Sequence, residues 1–251
     1  MDPKVAVLRA AFLFSTCALF DSLVLIGIGL LIGINASLVF PISIALAIIW
    51  ILFVYQKIDS LILRKINAQP LKRQNHPRFT NLVEGICVAY GFRSPSLHVV
   101  EDVAPNMMMV GRDPLHSSLV VTTGLLERVR RAELEGLVTH ELSRSRNRTS
   151  FLEGALAILV AWPWSFMPNL VSRLSMKFID SWAIAETDIA AVKLTRYPPG
   201  LASALESIRS DGREPTHNPK FCRHMWVNPP SESLINTSFS TNDRIAALAE
   251  L

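Results

Sequence analysis

Two apolar runs stand back to back near the start of this chain. Residues 10 to 34, "AAFLFSTCALFDSLVLIGIGLLIGI", are almost all apolar, and residues 36 to 55, "ASLVFPISIALAIIWILFVY", are apolar again. Each is about the 20 residues a helix needs to cross a bilayer. Only Asn35 separates them, so the two predicted spans form a tight hairpin. A cleaved signal peptide would be shorter and would not lead straight into a second span. Half of the 251 residues are hydrophobic and the mean hydropathy is +0.31, too apolar for an ordinary soluble domain.

The flanks orient the hairpin. Lys4 and Arg9 precede the first span, and Lys57, Arg64, Lys65, Lys72, Arg73 and Arg78 follow the second. The uncharged link lies between them. Lys and Arg concentrate on the cytoplasmic side, so both ends and the rest of the chain are expected in the cytoplasm. The predicted location is the plasma (cell inner) membrane, multi-pass. The formal charge of +4 is too small for a nucleic-acid footprint and suits an anionic lipid surface. Cys17, Cys87 and Cys222 are far apart and form no CxxC pair, which fits free thiols in a reducing compartment. Asp21 lies within the first span. An intramembrane acid is a functional candidate, the alternative being a protonated side chain or one bonded to Ser22.

After Pro70 the composition turns mixed. Residues 78 to 91 have helical spacing, "SLHVVED" and "SLVVTTG" read as strands, and "PNMMMVGRDP" between them reads as a third strand. Residues 132 to 148 predict a helix with Leu134, Leu137, Val138 and Leu142 on one stripe. Residues 151 to 168 are apolar but are interrupted by Pro163 and end at Pro168. Residues 172 to 195 predict a long helix, "GLASALESIRS" a second and "DRIAALAEL" a closing one, with irregular chain over 211 to 243.

Within "LVTHELSRSRNR", His140 and Glu141 are followed by Arg144. In the HExxH pattern, two histidines at i and i+4 share a helix face and hold zinc, while the glutamate acts as general base on bound water. By itself an HE dipeptide also fits an ordinary surface helix.

The surroundings add a resemblance. "VTTGLLERVRRAELEGLVTHELSRSRNR" resembles the HtpX-type membrane zinc metallopeptidases, relatives of the CAAX prenyl proteases. "AETDIAAVKLTRYPPGLASALESI" is similar to the downstream segment in which that family carries its third zinc ligand, and "PNMMMVGRDP", "MWVNPP" and "DRIAAL" match in order. The resemblance implies an α+β, mainly helical fold: an N-terminal transmembrane helical hairpin followed by a gluzincin-like metallopeptidase domain. The expected divisions are a hairpin at 1–58, a basic juxtamembrane linker at 59–77 and the metallopeptidase-like domain at 78–251. It also implies zinc, with His140 and Glu186 as ligands, Glu141 as general base and Asp188 as supporting acid.

The departures bear on activity. Arg144 stands at the second histidine, Thr149 where the family's "NRD" ends in aspartate, and Asn106-Met107 where it has Asn-Ala; "SFSTNDRI" replaces its "THP". A second membrane pair is reduced to residues 151 to 168. One full span there would put His140 and Glu186 on opposite sides, and about 18 residues cannot cross twice, so an interfacial or re-entrant helix is expected. Trp162 and Trp164 suit an interface.

Arginine offers no lone pair. A unit charge ~4 Å from a divalent ion costs roughly 8 kcal/mol at an effective dielectric of ~20. Without metal, a guanidinium between Glu141 and Glu186 would form the carboxylate pairs arginine favours. His76, His98, His116, His217 and His224 have no ligand spacing to His140. The reading is a membrane-anchored homologue with impaired or lost proteolysis, binding membrane proteins or peptides as clients or serving as a subunit of a membrane complex. The alternatives are an active zinc endopeptidase in membrane protein quality control and a purely structural membrane subunit.

Overall fold

The computed structural model describes residues 2–161, 163–164, 166–175, 178, 183–229 and 240–251. Helix α1 spans Pro3–Leu31 and α2 Ala36–Lys65. Asp2 caps α1 by accepting from the Lys4 N–H at 2.8 Å, and Asn35 caps α2 by accepting from Ser37 at 3.2 Å. At 1.5 Å per residue each helix is about 45 Å long, more than the ~30 Å of bilayer hydrocarbon. Leu8, Phe12, Leu19, Leu23, Leu46, Ile49 and Leu52 lie exposed along them. This is the apolar outer surface of a transmembrane hairpin.

The foot of α2 belongs to the globular core. Val54, Ile58, Ile62 and Ile66 recur every fourth residue and are buried, so one stripe of α2 faces inward. The chain continues through β1 (Gln69–Pro70), α3 (Pro77–Tyr90), β2 (Ser96–Val100), β3 (Met107–Asp113) and β4 (His116–Thr122). The four strands form one sheet in the order β1-β2-β4-β3. β3 and β4 are an antiparallel hairpin, whereas β2 and β4 run parallel.

The sheet divides two cores. Met108 and Val110 of β3 and Val120 of β4 face the cluster shared with the hairpin foot. Met107, Met109, Leu119 and Val121 face a second cluster with α3 and the helices that follow. The methionine triplet is therefore a strand buried on both faces, with successive side chains alternating as the pleat requires.

After α4 (Thr123–Arg128) comes α5 (Arg131–Arg146), whose residues Gly136 to Ser145 are all buried. A helix buried all round has no polar face to show in its periodicity. It packs closely on α9 (Pro198–Asp211): a Cβ on Gly136 would sit 2.9 Å from the Leu201 backbone nitrogen. At the end of α5, Arg148 takes a left-handed conformation (φ 57°), and α6 (Thr149–Leu156) turns back, continuing as a π-helical turn over Ala157–Ala161. Phe151 of α6 stacks on Phe14 of α1 with ring centroids 6.0 Å apart. Trp164 lies edge-on to Phe20 at 5.7 Å; Trp162 is outside the described residues.

Of the long helix expected over 172 to 195, residues 176, 177 and 179 to 182 lie outside the described residues. α7 covers Pro168–Ser175, Phe178 lies in a turn, and α8 covers Ala183–Thr195. A short 3₁₀ turn at Arg223–Met225 and α10 (Thr241–Ala249) complete the chain. Cys17, Cys87 and Cys222 are free thiols.

Candidate functional site

Helix α5 places His140, Glu141 and Arg144 in the interior, all buried. Two charge clusters form around them. In the first, Asp188 of α8 brings Oδ1 to 2.7 Å from His140 Nδ1. The approach is a close side-chain contact rather than an aligned N–H···O bond. Arg244 of α10 grips the same carboxylate in a fork, Nε to Oδ2 at 2.8 Å and Nη2 to Oδ1 at 2.9 Å. Its Nη1 donates to the Val227 carbonyl at 2.6 Å. Burial alone would raise the Asp188 carboxyl. Arg244 and then His140 outweigh it and hold the group well below the usual carboxylate range.

The second cluster belongs to Arg144. Its Nη1 donates to both oxygens of Glu141, at 2.7 and 3.0 Å, and to the Met225 carbonyl at 3.0 Å. Its Nη2 pairs with Glu153 of α6. Arg144 is 4% exposed, Glu141 0% and Glu153 3%, so solvent screens this triad very little. Burial, assisted by the facing Glu141, pushes the Glu153 carboxyl up to about 7 against the pull of Arg144. One cation cannot fully neutralise two buried anions, and the second carboxyl keeps its proton to near neutrality.

The buried His224 closes the far side. Its Nε2 lies 3.2 Å from the Glu153 carbonyl oxygen. A carbonyl can only accept, so Nε2 carries the proton. Nδ1 has no hydrogen-bond partner among the described residues. Burial pushes this imidazole down to about 3, with Arg144 adding to the fall.

The sequence-derived residues separate here. His140, Glu141, Arg144 and Asp188 come together. Glu186 lies exposed on the first turn of α8. Two residues along a helix is a rotation of about 200°, so with Asp188 aimed at His140, Glu186 points elsewhere. The positions sharing the Asp188 face one turn upstream are Ile184 and Ala185, and neither has a donor atom. The guanidinium expected between Glu141 and Glu186 lies between Glu141 and Glu153 instead. Asp21 stays in the hairpin, partly exposed on α1 beside the buried Ser22. His116 is held by Asp113 at 2.9 Å on the surface, and Ser238 and Phe239, the first two residues of "SFSTNDRI", are outside the described residues.

Catalytic zinc takes three protein ligands in most sites. Among the described residues no group of three or more His, Cys, Asp and Glu side chains is placed to hold a metal ion. A guanidinium bonded to the would-be general base fills the second-ligand position. This donor set does not fit zinc.

Two residues of the site gave little signal in sequence. Glu153 is a lone acid inside the apolar run "FLEGALAILV", and a buried acid calls for a cation. Arg244 lies in "DRIAAL", where nothing local marks it.

The fold and site define a helix-rich α+β protein on a membrane hairpin, centred on a buried histidine–glutamate helix. No family model matches the sequence. It is 30% identical over 225 residues to a protease HtpX homolog of Dictyoglomus turgidum, covering 77% of this chain and 74% of that protein. A protease HtpX homolog of Dictyoglomus thermophilum is 29% identical over 231 residues, covering 78% and 76%, and one of Lactobacillus helveticus is 26% identical over 264 residues, covering 83% and 88%. The chain belongs to the HtpX protease family.

Proposed function

We propose that this protein is a membrane-anchored HtpX homologue in which an internal guanidinium has taken the place of the catalytic metal, and that it binds membrane proteins or peptides as a regulatory or client-holding subunit rather than hydrolysing them. One observation carries the reading: Arg144 occupies the second-ligand position and engages both oxygens of Glu141. A glutamate whose two oxygens both accept from a guanidinium is held by that cation rather than turned toward a bound water. The basic flanks support a multi-pass inner-membrane placement with the globular part in the cytoplasm.

Metal analysis of the full-length protein purified in detergent tests this. Far less than one zinc per chain is expected, with no chelator-sensitive cleavage of an unfolded protein substrate. Stoichiometric zinc would overturn the reading. The retained His140–Asp188 contact favours a second reading, an active zinc endopeptidase with an unusual site, since carboxylates commonly orient metal-binding histidines. In that case cleavage is lost on chelation and in Glu141→Gln.

A further inference from the structure

We propose that Arg144 and Glu153 form one coupled unit: Glu141–Arg144–Glu153 is a built cation site, filled by the protein's own guanidinium, that holds α5, α6 and the 223–225 turn together as a bound metal would. The inference rests on the proposed loss of the metal and adds the residue that makes the exchange self-sufficient.

The geometry is that of a site rather than of an incidental ion pair. Three elements converge on one guanidinium: Glu141 from α5, Glu153 from α6 and the Met225 carbonyl at the end of the 3₁₀ turn. All the acceptors are oxygens, and they lie around a planar donor that can reach several at once. Glu153 has no other purpose visible in its surroundings. It is one acid in a buried stretch running from Thr149 to Ala161, and without a cation it would have to bury either a proton or an unpaired charge facing Glu141. Its main-chain carbonyl lies near His224 Nε2, so that histidine does not pair with the carboxylate.

A site built for a guanidinium recognises one supplied from outside. In Arg144→Ala the acceptors remain and the cation is gone. We expect this variant, purified whole in detergent, to unfold roughly 10 °C below the wild type, the scale for leaving buried charges unpartnered in a chain of this size. Methylguanidinium chloride should restore much of that loss, and an equal concentration of sodium chloride should not. In Arg144→Ala/Glu153→Gln the unfolding temperature should recover partly without any additive, and the methylguanidinium response should shrink. If Arg144→Ala does not fold, Arg144→Gln in the wild-type and Glu153→Gln backgrounds gives the same test: the penalty must be smaller in the second. Equal penalties in both backgrounds, or a methylguanidinium effect no larger than that of sodium chloride, overturn the triad. Zinc bound to the wild type overturns the proposed function instead, whatever the rescue shows.

Discussion

Arg144 and Arg244 are both buried guanidiniums holding carboxylates within the same site, and they differ in how many they hold. Arg244 forks onto one carboxylate, Asp188, which also has the His140 imidazole beside it. Arg144 is shared by two, Glu141 and Glu153. The first cluster has cation enough, and its carboxyl is held far down. The second is one positive charge short of what a divalent ion would bring, and Glu153 rises to about 7. Burial is nearly the same in both, so the ratio of cations to anions sets the difference. Arg244 fixes the carboxylate beside His140, while Arg144 engages Glu141, the neighbour of that histidine.

Removing each arginine in turn puts the comparison at most risk. Arg244→Met leaves Asp188 buried with only His140 beside it, and it should cost about 3–5 kcal/mol in chemical unfolding of the detergent-solubilised protein. Arg144→Met should cost roughly 1–2 kcal/mol less, because Glu153 already holds its proton to near neutral pH with Arg144 in place, whereas Asp188 is fully ionised until Arg244 is removed. A larger loss for Arg144→Met than for Arg244→Met breaks the contrast.

A smaller effect sharpens it through pH. Glu153 is raised to about 7 from an ordinary 4.5, so its contribution to stability is fully present below about pH 4.5 and is lost as pH rises through 7. His224 is lowered to about 3 from 6.5, so its contribution is present above pH 6.5 and is lost as pH falls toward 3. The two slopes oppose one another between about pH 4.5 and 6.5. Glu153→Gln should leave a protein that gains stability from pH 5 to 6.5, and His224→Gln one that loses it, each by roughly 1 kcal/mol per pH unit. Slopes of the same sign in the two variants would show that these groups do not titrate as their surroundings demand.

Much of the architecture was legible in the sequence because it depends on local pattern. The apolar runs give the hairpin, and the helical spacing of residues 78 to 91 gives α3. Other features were not legible. The parallel pairing of β2 with β4 places Val99 opposite Val121 across more than twenty residues, and nothing in either strand specifies its neighbour. The turn at Phe178 is another such feature, since it falls within the helix expected over 172 to 195. In the site, the spacing of Glu186 and Asp188 from a helix start could not say which of them faces His140. That depends on the rotation of α8 against α5.

The sequence by itself determined that this chain has a membrane hairpin, an HE helix and an arginine where a second ligand would stand. These are matters of composition and of residues four apart. Only the tertiary structure decided what the arginine does. A guanidinium at the end of a long side chain can reach several acids, and which one it meets depends on helices brought together from distant segments. The reversal after Arg148 sets Glu153 against Arg144, and α10 carries Arg244 to Asp188, 56 residues away. Long-range packing selects the ion pairs because a buried charge must find its partner in the folded interior, wherever the chain supplies one.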